Sequence, residues 1–247
     1  MAYRDQNPMG YSSQSAAVPY DAGLRAYMLG VYNYMASALA LTGIFAYLAS
    51  HWAPLVGALY NLQATHPSMT GLGVLVAFAP LVFVMVLGMG INRLSLASAQ
   101  GVFWGFAAVM GLSLSVIFFA YSGQSIVRVF LITSILFGSV STWGYATGRD
   151  LTSMGHFMIM GLWGIFLASI VNIFMQSSGL QFMVSILGVV IFTGLTAYDT
   201  QRIKAMYYAT AGSDEMAGKS AIMGAVTLYL DFINLFLMLL RLMGDRR

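Results

Sequence analysis

The sequence predicts an all-α polytopic membrane protein with seven transmembrane helices, and three observations carry that prediction. Only 8% of the 247 residues are charged, against about 25% in ordinary soluble domains. Hydrophobic residues make up 59% of the chain, and a soluble domain of this length could not build its polar surface from so few charges. The charges are also unevenly placed, with none at positions 26–92 or 151–198. These runs exclude a soluble domain, a nucleic-acid binder and a disordered chain.

A helix needs about 20 apolar residues to cross the hydrocarbon core. Seven runs meet that length: 27–50, 72–91, 100–121, 126–147, 155–175, 181–199 (extending towards 207) and 221–243. The breaks between them carry turn chemistry at Pro54 and Pro67, Asn92 and Arg93, Ser122 and Gly123, Gly148 to Asp150, and Ser177 to Gly179. Gly101 with Gly105 and Gly144 with Gly148 have the small-xxx-small spacing that lets helix backbones approach. Packing within the bundle is the expected use. Residues 1–24 are expected to form a flexible polar tail, and residues 25–247 the membrane domain; the tail lacks the layout of a signal peptide.

Basic residues in short loops set orientation. With the N-terminus in the cytoplasm, Arg4, Arg25, Arg93, Arg149, Arg202, Lys204 and Lys219 fall inside, and Arg128, Arg241, Arg246 and Arg247 outside. That majority favours a cytoplasmic N-terminus. The C-terminal arginines argue the other way, and a re-entrant last segment would satisfy them. The chain has no cysteine, so disulfides and thiolate chemistry are absent.

An ionisable group inside the bilayer costs roughly 2.5–3.5 kcal/mol on insertion scales, so sites that accept one are functional by default. Two acids qualify: Asp199 at the end of the sixth span and Asp231 inside the seventh. The sixth span runs down and the seventh returns, which puts both acids in the same half of the bilayer. Two carboxylates brought together in a low dielectric cannot both ionise freely and titrate as a unit. Such a pair suits a proton-sensitive latch, an oxygen-rich cation site or a catalytic dyad. Arg93 is a candidate cation partner. Thr196 and Asn234 share helix faces with the acids and are expected to complete their hydrogen bonding. The plainer alternative makes Asp199 an interfacial acid paired with Arg202, three residues on.

No other constellation carries chemistry. His51, His66 and His156 lack metal-ligand spacing, and no phosphate-loop, nucleophile-elbow or zinc-protease motif occurs. The methionines and tyrosines read as packing and interface residues. No catalytic activity, cofactor or nucleic-acid partner is expected.

Residues 192–204 (FTGLTAYDTQRIK), 228–236 (LYLDFINLF) and 239–241 (LLR) strongly resemble the Bax inhibitor-1 family. Arg93 after the second span and residues 171–174 (VNIF) add to the likeness, which runs from about Arg25 to the end. The polar N-terminus and lack of cysteine are similar to bacterial members, so a bacterial inner membrane is the implied location. The resemblance implies a seventh helix surrounded by two layers of three. It also implies a pH-sensitive calcium leak in which Asp199 and Asp231 share a proton and an arginine matching Arg93 latches the closed state. Some bacterial relatives instead regulate a membrane-bound protease, a binding role that needs no pore. A third class, an intramembrane aspartyl protease, is disfavoured, because Asp231 follows Leu-Tyr-Leu where those enzymes carry Gly-x-Gly.

Overall fold

A computed structural model describes residues 22–61, 68–210 and 212–246. Most of the expected tail, with Arg4, lies outside the described residues, as do His66, Pro67 and Arg247. Those described form nine helical segments: α1 (Ala22–His51), α2 (Ala53–Leu59), α3 (Gly71–Gly90), α4 (Leu96–Leu114), α5 (Ile117–Ala120), α6 (Gly123–Ala146), α7 (Thr152–Met175), α8 (Ser178–Ala209) and α9 (Asp214–Met243). Seven are long and apolar enough to span a membrane, with α4 and α5 together forming one span. This is a multi-pass, all-α membrane protein.

The caps follow from the sequence. Thr70, Ser95, Ser122, Ser177 and Ser213 accept hydrogen bonds from the first-turn amides of α3, α4, α6, α8 and α9. Each satisfies a backbone donor that the helix start leaves unpaired. Asp214 and Glu215 in the first turn of α9 and Arg241 in its last complement the helix dipole. Between α7 and α8, Gln176 takes a left-handed conformation and Asn172 Oδ1 accepts from the Ser177 amide at 3.0 Å. The VNIF segment therefore has a turn-locking asparagine.

The connection after α1 holds more structure than its prolines predict. Pro54 lies in the first turn of α2, where a missing N–H costs nothing. Tyr60 and Asn61 (β1) then pair antiparallel with Ser68 and Met69 (β2). The last segment is one unbroken helix. At 1.5 Å per residue, the 30 residues of α9 run about 45 Å, more than the roughly 30 Å hydrocarbon core. Its far end docks on the start of α6: Ser122 N donates to Asp245 O at 3.1 Å, and Arg128 pairs with Asp245 at 2.9 Å. At the other face, Tyr27 of α1 and Ser220 of α9 hydrogen-bond at 2.8 Å.

Helix α9 is the axis of the molecule. Fourteen of its residues are buried, against two in α7. On one side α4 packs between α1 and α3; on the other, α8 packs between α6 and α7. The two triplets thus repeat one plan around α9. Lipid tails are as apolar as leucine, so association depends on close packing and buried polar contacts rather than on hydrophobic burial. Close approach is visible at Gly111, where a Cβ would stand 2.5 Å from Thr42 O, and at Gly144, where it would stand 2.5 Å from Ala197 O. Of the spaced glycines, Gly105 meets the Phe83 ring, while Gly101 and Gly148 have open space. One member of each pair packs the bundle.

Candidate functional site

Asp199 sits on α8 and Asp231 on α9, and antiparallel packing sets them opposite each other. Gly224 meets Ile203 and Met238 meets Gly188, so residues advance in opposite directions along the two helices. The carboxyls of Asp199 and Asp231 face each other within hydrogen-bonding reach. Both are buried, at 7% and 5% exposure. The structure thus brings these two acids together.

The expected polar helpers do something else. Thr196 Oγ1 donates to Phe192 O at 2.7 Å, and Asn234 Nδ2 donates to Leu230 O at 2.8 Å. Thr196 spends its one donor, and Asn234 one of its two, on the preceding turn of its own helix. Thr200 likewise donates to Thr196 O at 2.7 Å. No N–H or hydroxyl reaches Asp231 Oδ2. Two carboxylates are acceptors only, and a contact between them holds when a proton lies between.

Arg93 is not brought to the pair. Helix α3 ends at Gly90, and Arg93 lies exposed in the following turn, with no ion pair to an acid among the described residues. The cation beside the acids is Arg202, whose Nη1 stands 4.0 Å from Asp199 Oδ1 and whose side chain is 60% exposed. The interfacial pairing with Arg202 and the buried contact with Asp231 thus coexist.

Three polar links hold this region, and sequence reasoning missed them. Gln201 clamps the α6–α7 turn, accepting from Leu151 N at 2.9 Å and donating to Arg149 O at 2.7 Å. Because Thr200 already donates to Thr196, Ser141 must donate to Thr200 Oγ1 (2.8 Å), and Tyr32 to Ser141 Oγ (2.6 Å). Thr42 donates to Ala107 O at 2.9 Å, so the Tyr229 hydroxyl donates to Thr42 at 2.7 Å and ties α9 to α1. Hydroxyls inside apolar spans were the available signal, but their partners lie 59 to 187 residues away.

The donor set can be tested against calcium as cargo. Calcium takes six to eight oxygens, and two carboxylates offer at most four. No cluster of three potential metal-ligating side chains exists among the described residues. In this conformation the pair fits a proton, and a calcium ion there would need water for the rest of its shell.

Seven spans, a central last helix and two acids meeting in the core define a class of polytopic membrane protein with an intramembrane carboxyl pair. The family model described as "Inhibitor of apoptosis-promoting Bax1" matches residues 24–247. The chain belongs to the Bax inhibitor family. It is 51% identical to the uncharacterized protein RP147 of Rickettsia prowazekii over 228 residues, 92% of this chain and 93% of that one. It is 42% identical to the inner membrane protein YbhL of Escherichia coli over 227 residues, 92% and 94% of the two chains. An uncharacterized membrane protein of Streptococcus pyogenes is 33% identical over 224 residues, 91% and 94%.

Proposed function

We propose that this protein is a pH-sensitive leak for cations, chiefly calcium, with Asp199 and Asp231 as its proton-controlled switch. The observation that carries the reading is the buried contact of two carboxyls with no N–H or hydroxyl donor on Asp231 Oδ2. Two like charges 4 Å apart repel by about 4 kcal/mol even at an effective dielectric of 20. A pair held this way changes its packing when its proton count changes, and it joins α8 to the central helix.

The direction follows from charge. Each proton lost makes the pair a stronger holder of cations, whether the Arg202 guanidinium or a calcium ion. Acidification neutralises the pair, releases the held cation and opens passage. Arg93, cast as the latch by the family resemblance, stands apart from the acids, and this reading gives the cation's place to Arg202. No catalytic step and no cofactor enter; calcium is cargo. The bacterial inner membrane is the proposed location, supported by the name of the E. coli relative, with the N-terminus cytoplasmic.

Calcium uptake by proteoliposomes holding the purified chain tests the reading, with empty liposomes beside them. Uptake that rises as pH falls from about 8 to about 6 is the expected result. No uptake above the empty vesicles, with protein shown to be folded and inserted, contradicts it. That outcome would leave the family's other role, binding a membrane protease without conducting ions.

A further inference from the structure

Because α8 and α9 are antiparallel, equal steps past Asp199 and Asp231 reach the same flank of the acid pair. One residue past each acid, that flank is closed by α6. Thr200 bonds Ser141 at 2.8 Å, and the Phe232 ring lies 5.4 Å from that of Phe137. Three residues past each acid, on the nearly opposite flank at 3.6 residues per turn, stand Arg202 and Asn234. Thr227, one turn before Asp231, shares the second flank.

The second flank is only partly covered. Met223, Thr227, Leu230 and Asn234 recur at the spacing of one helix face, and all four are half-buried. Every α9 residue between them is buried. Thr227 Oγ1 donates to Met223 O at 3.1 Å, and Asn234 Nδ2 to Leu230 O at 2.8 Å. Among the described residues neither side chain makes a further bond. Thr227 Oγ1 therefore keeps its lone pairs, and Asn234 keeps one N–H and its carbonyl oxygen unpaired. Unpaired polar atoms at membrane depth are tolerated where they line a water-filled cavity. The Arg202 guanidinium, on the same flank and 60% exposed, calls for water as well.

On the leak reading above, we infer that the cation passes along this flank of α9, with Thr227 Oγ1 and Asn234 Oδ1 as neutral oxygen ligands on either side of Asp231. From Thr227 to Asn234 the helix rises about 10 Å, so the three side chains form a ladder of oxygens. Calcium takes oxygen ligands, and several weak sites in a row let an ion enter and still leave.

The chain has no cysteine, so single cysteines report on the path without background. Thr227→Cys and Asn234→Cys are compared with Val226→Cys and Ile233→Cys, at buried neighbours, in proteoliposomes at about pH 6. The probe is a methanethiosulfonate that carries a trimethylammonium group, and mass spectrometry reads the label. Positions 227 and 234 should react more than about tenfold faster than 226 and 233, and their label should block calcium uptake. Equal reaction at the four positions, with a wild type that conducts, overturns the inference and leaves the leak reading intact. So does label at 227 and 234 that leaves uptake unchanged. A wild type without uptake above empty vesicles overturns the leak reading, and the path with it.

Discussion

Arg202 Nη1 lies 4.0 Å from Asp199 Oδ1, three residues along the same helix. Among the described residues no other lysine or arginine forms an ion pair with Asp199 or Asp231. A cation favours the ionised carboxylate, so its removal lets the pair take up its proton at higher pH. The Arg202 side chain is 60% exposed, and exposed pairs contribute about 0.2–1 kcal/mol, less than one pH unit at 1.36 kcal/mol per unit. Arg202→Gln should move the midpoint of the calcium-flux profile upward by about half a pH unit. Arg93→Gln should leave it in place, and a larger effect from Arg93 than from Arg202 would reverse their assigned roles.

The hydroxyl link from α9 to α1 predicts an asymmetry. In Tyr229→Phe, Thr42 keeps its bond to Ala107 O and only one donor is lost. In Thr42→Val, the fully buried Tyr229 hydroxyl keeps its proton without a partner. A lost hydrogen bond costs about 1 kcal/mol, and an unsatisfied buried donor about 1–3 kcal/mol. Denaturant unfolding in detergent should rank Thr42→Val as the less stable of the two.

Close helix approach makes a parallel contrast. A Cβ at Gly144 would press on the Ala197 backbone, whereas one at Gly101 meets nothing within 4 Å. Gly144→Ala should destabilise by about 1–3 kcal/mol through overpacking. Gly101→Ala should be neutral or stabilising by about 0.5–1 kcal/mol, since alanine is the better helix former. Thermal unfolding of both variants in one detergent decides the point, and equal melting would deny the backbone contact between α6 and α8.

Asp150 gives a pH effect outside the membrane. Its Oδ1 accepts from the Thr152 amide at 2.9 Å, and Leu151 at the start of α7 offers no side-chain cap. Hydrogen bonds from Thr152 hold the Asp150 carboxyl below its ordinary value. A lowered folded-state value means the contribution is complete at neutral pH and disappears as pH falls through that value. First-turn amides of α7 should exchange faster in Asp150→Ala at neutral pH, and the two proteins should converge once Asp150 is protonated. Equal exchange at neutral pH would remove Asp150 as the cap of α7.

The spans were legible because 20 apolar residues in a row have few other uses, and Asp199 and Asp231 stood out because charge is costly there. The central place of α9 entered through family likeness; its own residues offer little contrast with other apolar helices. The donors failed for a local reason. A helix face puts Thr196 and Asn234 beside the acids, yet each reaches its own carbonyl four residues back more easily. Arg93 failed for a tertiary one, since residue spacing fixes the end of α3 but not the distance from that turn to α9.

The most direct measurement is the pH dependence of calcium flux into proteoliposomes carrying wild type, Asp199→Asn or Asp231→Asn. Asparagine keeps the size of each side chain but cannot share a titrating proton. The account predicts a wild-type flux that rises as pH falls from about 8 to about 6, and a flattened profile in both variants. Single variants that conduct with the full wild-type pH dependence would contradict the assignment of Asp199 and Asp231 as the switch.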